Sequence, residues 1–263
     1  VLNGQGSARS QGTLSIPMTG TGSGGVMPGG AGTVTGFTRN LGVDLTNDHP
    51  VSVNFTQALA TRDGELRPVD ASQKWPPGVG NILAVRGPGS RPLLPLEPSG
   101  AGGTGQVQCA SCHDPHLRET DASVGNQKFL RQNRFQENPP SASYDQAGDI
   151  ICLSCHDKNL GGGAWAFSVH ANPLVATQTY TTTAAGTREF PANQPVWKAA
   201  CLNCHDTHTV PGARRLLREG TDSVAVPKTG GNAALEQTCF QCHTQIATSA
   251  VTRAEHAALC EEV

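Results

Sequence analysis

Large apolar side chains are scarce in this chain. Of its 263 residues, aromatics make up 5% and hydrophobic residues 37%. A chain so poor in bulky apolar groups buries too little surface to offset its conformational entropy. Either much of it is disordered, or something other than side chains fills the core, and a large apolar cofactor is the natural candidate. No apolar run is long enough to span a bilayer. Charge of one sign is also missing. Lys and Arg (19) nearly balance Asp and Glu (21), no basic stripe appears, and a nucleic-acid partner is not expected. The first residue is Val, with no charged and then apolar leader after it, which suggests a mature chain after export processing.

Glycine (31) and proline (18) are abundant, and there are nine cysteines and nine histidines. Eight of the cysteines form four Cys-x-x-Cys pairs, each followed directly by His: Cys109, Cys112 and His113; Cys152, Cys155 and His156; Cys201, Cys204 and His205; Cys239, Cys242 and His243. Two such pairs could make a four-cysteine zinc site, and one alone could be a redox dithiol. Neither requires a histidine after every second cysteine. Cys-x-x-Cys-His is the attachment pattern of c-type haem. The thiols add to the porphyrin vinyl groups, and the imidazole becomes the proximal iron ligand. Four motifs imply four covalently bound haem c groups.

Five histidines remain: His49, His116, His170, His208 and His256. The first half of the chain runs His49, motif, His116, motif. The second runs His170, motif, His208, motif. His113-Asp-Pro-His116 matches His205-Asp-Thr-His208, and Phe129-Leu130-Arg131 resembles Leu216-Leu217-Arg218. A duplication of this kind implies repeated structure, with enough spare imidazoles for a second ligand on each iron. Met18 and Met27 lie in a Gly-rich stretch and are not needed as ligands. If the segment after each motif is helical, residues i and i+3 share a face, about 5–6 Å apart at Cβ. His116 and His208 would then ligate haems other than those held by His113 and His205.

The run Asp-His-Pro, Cys-x-x-Cys-His-Asp-Pro-His, Phe-Leu-Arg, Ile-Cys-x-x-Cys-His resembles the doubled-CXXCH multihaem cytochromes, and is similar to the tetrahaem extracellular cytochromes that polymerise into conductive filaments. The likeness covers residues 47–50 and 107–243, although here more than a hundred residues precede the first motif. It implies electron transfer rather than catalysis, with copies of the chain, other redox proteins or extracellular acceptors as partners. His49, His116, His170 and His208 would be the distal ligands. The location would be extracellular, with the periplasm as the alternative. A soluble tetrahaem shuttle is the competing reading. A multihaem reductase is a weaker one, because every motif ends in His and spare histidines leave no open iron.

The expected fold is mostly irregular, with short helices around a haem core and a few β-strands in the N-terminal region. Residues 1–106 form a Gly/Pro-rich region supplying His49. Residues 107–263 form the tetrahaem region, built from dihaem repeats at about 107–160 and 161–250 plus a short C-terminal helix. Residues 1–36, with eleven glycines, read as a linker or tail, or as a segment packed on its own domain or a neighbouring subunit. Residues 51–59 predict a strand; 33–38 and 82–85 do so more weakly. Residues 87–105 predict an irregular connection. Residues 252–262 predict a helix with His256 and Cys260 on one face. Cys260 is the odd thiol, expected to be a small buried residue, with an intermolecular disulfide, a reactive thiol or a metal contact as alternatives.

Overall fold

The computed structural model of the chain describes residues 45–74, 80–82, 93–98, 105–116, 129–159, 164–208, 210, 214–218, 237–244 and 249–252. The expectations for 1–36, 33–38 and the helix at 252–262, with His256 and Cys260, lie wholly or almost wholly outside these residues. The chain forms two compact units. One comprises residues 50–177 and 195–200; the other comprises 178–194 and the described parts of 1–49 and 201–263. They cut the chain along different lines from regions 1–106 and 107–263. The first contains the motifs at Cys109 and Cys152, with His116 and His170. The second contains the motifs at Cys201 and Cys239, with His49 and His208.

In the 109/152 unit, β1 (Val53–Asn54) and α1 (Gln57–Asp63) come first. The strand expected over 51–59 is therefore only two residues long. The alternation ends at Thr56, whose Oγ1 accepts from Leu59 N–H at 3.0 Å and caps α1. Gly64 closes the helix at φ 75°, a left-handed position suited to glycine. Strands β2 (Val69–Lys74) and β3 (Gly80–Ile82) pair antiparallel. A second sheet has β5 (Gly105–Val107) between β1 and β4 (Glu97–Pro98), all antiparallel. Pro98, which has no N–H to give, thus sits on an outer strand of the described sheet. The 87–105 connection is more than a surface loop, because its Leu94 and Leu96 join Phe55 in the core of the unit. Leu66, Val107, Tyr144, Ile151 and Cys155 pack against that core. Helix α2 (Cys109–Cys112) follows β5 directly.

In the 201/239 unit, α3 (Thr182–Arg188) is capped by Thr181. Tyr180 and Phe190 form the centre, edge to face with ring centroids 5.0 Å apart. The Arg188 guanidinium lies over the Tyr180 ring and that of Arg218 over Phe190, at 5.3 and 5.4 Å. Two further four-residue helices among the described residues are α4 (Val196–Ala199), in the 109/152 unit, and α5 (Gln237–Phe240), here. Among the described residues no helix is long and apolar enough to cross a membrane.

Candidate haem attachment sites

All four motifs fold into the same turn. The histidine N–H donates to the C=O of the first cysteine, at 2.9 Å in each case: His113 to Cys109, His156 to Cys152, His205 to Cys201 and His243 to Cys239. One such turn brings the two cysteines and the histidine together, as attachment to a single porphyrin requires. The motif at Cys109 is additionally tied at its start, where Ser111 Oγ accepts from Gln108 N–H at 3.0 Å.

Three of the turns are gripped by one device, here called the Leu-Arg clasp. At the first motif, Arg131 N–H donates to Cys112 C=O and Asp114 N–H to Phe129 C=O, both at 2.8 Å. The Arg131 side chain donates through Nε to Ala110 C=O at 2.8 Å and pairs with Asp114 at 3.1 Å. At the third motif, Arg218 N–H meets Cys204 C=O at 2.8 Å and Asp206 N–H meets Leu216 C=O at 2.9 Å. Arg218 Nε meets Leu202 C=O at 2.7 Å, and its guanidinium pairs with Asp206 at 3.0 Å. The second motif repeats the pattern with a segment from much earlier in the chain. Arg67 N–H donates to Cys155 C=O at 2.8 Å and Asp157 N–H to Glu65 C=O at 2.6 Å. Arg67 Nε donates to Leu153 C=O at 2.6 Å, and its guanidinium stands 3.3 Å from Asp157. That last contact lacks hydrogen-bond geometry, so the attraction there is electrostatic. Phe129 and Leu216 occupy the same place in their clasps and share a positive φ, 59° and 56°. The fourth motif has Thr244 where the others have aspartate, and Ser249 Oγ donates to Cys242 C=O at 3.1 Å instead.

The motifs adjoin two by two. Burial pushes the Cys155 thiol up to about 12, and charge on Cys112 is the next contribution. Burial likewise pushes Cys112 up to about 11, followed by charge on Cys152 and Cys109. The cysteines of the first two motifs are therefore close neighbours. In the other unit, burial first and charge on Cys242 second hold Tyr180 well above the usual phenol value, with Cys204 contributing too. Tyr180, 1% exposed, thus stands beside both motifs of its unit, and its hydroxyl donates to Asn203 Oδ1 at 2.7 Å.

The chain does not continue as a helix after the first motif. His113 is extended, at φ −111° and ψ 139°, and pairs with Leu130, as His205 pairs with Leu217. The Asp114 carboxylate turns the chain locally by accepting from His116 N–H at 3.0 Å. The premise that His113 and His116 share a helix face is thus not met, and the spacing argument against their sharing an iron falls with it.

The remaining histidines fall in two settings. His49 and His208 come together: His49 N–H donates to Thr207 C=O at 2.8 Å, and Val210 N–H to Asn47 C=O at 3.0 Å. Across this pairing His208 Nδ1 lies 3.2 Å from Asp48 Oδ1. His116 and His170 are exposed. His170 lies among Phe167, Val169, Leu174 and Val175, all more than half exposed. Apolar surface beside an exposed imidazole suits a porphyrin, which would cover it. His205 fits the proximal role expected of it: its Nδ1 is 2.7 Å from Arg215 C=O, which orients the ring and would leave Nε2 as the nitrogen for iron. Sequence reasoning missed two contributors. Arg67 shares its Leu-Arg pair with the other clasps, and Asp48 is the neighbour of His49.

Residues 193–248, which include the last two motifs, match the family model described as "Doubled CXXCH motif". The chain is similar to the C-type cytochrome OmcS of Geobacter sulfurreducens, 30% identical over 124 residues, 44% of this chain and 28% of that protein. The match thus spans less than a third of the relative's length. No solved structure matches the chain significantly. With its attachment turns, the doubled-motif match and this likeness together, the chain is a multihaem c-type cytochrome similar to that protein.

Proposed function

We propose that this chain is an electron carrier holding four closely spaced haems, each between two histidines, and that copies of it join head to tail in an extracellular filament. The observation that carries the reading is the set of four like attachment turns whose motifs adjoin in pairs. His113, His156, His205 and His243 hold iron from the attachment side. His49, His116, His170 and His208 are the opposite ligands. Haem c supplies a one-electron ferric/ferrous couple. The chain's own residues set its potential through ligand identity, hydrogen bonding and burial. Two histidines per iron leave no open position for substrate, which favours a carrier over an enzyme. The filament is supported by the resemblance to polymerising tetrahaem cytochromes, since a heterologous contact propagates instead of closing.

The test has two parts. Mass spectrometry of the denatured protein should show four covalent haems, and the intact ferric protein should be entirely low-spin. Size-exclusion chromatography with negative-stain microscopy should show polymers. Fewer haems or a high-spin signal would defeat the ligation. A monomer at high concentration would leave the soluble shuttle.

A further inference from the structure

Asp48 is held beside His208. Its side chain is only 4% exposed, and Oδ1 lies 3.2 Å from His208 Nδ1. The backbone leaves the pair little freedom. Asp48 N–H donates to Leu45 C=O at 3.2 Å, and the two strand-like bonds at His49 and Val210 hold segments 47–49 and 207–210 together on either side. A carboxylate can only accept, so the imidazole donates through Nδ1 and presents Nε2 as its ligating nitrogen. His205 has a neutral carbonyl at the same ring position. His116, the counterpart of His208 in the first repeat, has no such carboxylate among the described residues.

The geometry points to Asp48 as a positioning residue that lowers the reduction potential of the haem ligated by His208. The inference rests on His208 being an iron ligand. An anion drawing on Nδ1–H increases negative charge on the ring and makes Nε2 a stronger donor. A stronger donor favours ferric over ferrous iron. A buried carboxylate acts at short range with little screening, so its charge counts for more than at the surface. The two repeats are thereby made unequal by a residue that is neither a ligand nor part of an attachment motif.

Spectroelectrochemical titration of the full haem-loaded protein tests this, with ferric electron paramagnetic resonance as the second readout. Asp48→Asn keeps the volume and an acceptor oxygen but removes the charge. The potential of the haem ligated by His208 should move furthest, to more positive values, and all irons should remain low-spin. Asp48→Glu should hold the potential near that of the parent. If Asp48→Asn does not fold, Asp48→Ser removes the charge in a smaller side chain and should give the same shift. His208→Ala separates the two failures. If it creates one high-spin iron while the charge-removing variants leave every potential in place, ligation stands and the role of Asp48 is overturned. If His208→Ala leaves all irons low-spin, the ligation reading fails and the inference fails with it.

Discussion

The chain's two tyrosines, Tyr144 and Tyr180, both have their hydroxyls drawn away from water. Tyr180 donates to Asn203 and Tyr144 to Gln132 Oε1. In each, burial is the largest influence, and it holds the phenol well above its ordinary value of 10.0. Below that ordinary value both folded and unfolded chains keep the proton, so the folded state loses nothing. Above it the unfolded chain ionises and the folded chain does not. Stability therefore falls as pH rises from about 10, by up to ~1.4 kcal/mol per pH unit for a tyrosine that stays protonated. Phenolate absorbance at 295 nm should accordingly appear together with loss of the circular dichroism signal. Reversible ionisation near pH 10 with the fold intact would contradict this. Because burial rather than the thiols is the main cause, the expectation holds for the haem-loaded protein, whose eight motif cysteines are thioethers.

At the scale of elements, the recurring unit is the Leu-Arg clasp. Its three arginines differ in exposure: Arg218 is 8% exposed, Arg67 11% and Arg131 21%. Truncating each to alanine strands an aspartate and the carbonyl after the first cysteine. The cost should follow burial: about 3 kcal/mol for Arg218→Ala, somewhat less for Arg67→Ala, and about 1 kcal/mol for Arg131→Ala. Denaturant unfolding followed by circular dichroism checks the order, and equal costs would show that the ion pairs are not what the clasp contributes. Two of the clasps were legible as the similarity of 129–131 to 216–218. The third was not, because Glu65-Leu66-Arg67 precedes its motif and lies beyond two sheets, where spacing carries no signal. The attachment motifs were fully legible because covalent chemistry sets their spacing. The strand at 51–59 was misread past Asn54: alternation cannot show that a threonine hydroxyl will start a helix at Gln57. A helix after His113, the condition of the spacing argument, does not form because competing bonds come from Phe129 and Arg131, far along the chain.

Across the whole molecule, the described residues bury few large apolar side chains for the length of chain. In the 109/152 unit Phe55, Leu94 and Leu96 form one buried cluster, on which Cys155 packs, and Phe135, Ile150 and Leu153 are buried as well. The other unit buries Tyr180 and Phe190 edge to face, with Leu202, Val210 and Val251. Polypeptide made without haem attachment should therefore lack a cooperative thermal transition in calorimetry, while the attached form shows one. A sharp transition in haem-free chain would mean that the protein interior suffices. The units also gather residues far apart in sequence, His49 with the third motif and Arg67 with the second. This has a consequence in time. In a chain that emerges N-terminus first, Arg67 is already present when Cys152 to His156 appear, so that site can close on arrival. The sites at Cys109 and Cys201 must wait for Arg131 and Arg218, which follow them. The direction of emergence therefore sets how long each site stays open: the second can close as it appears, while those at Cys109 and Cys201 stay open until their arginines follow.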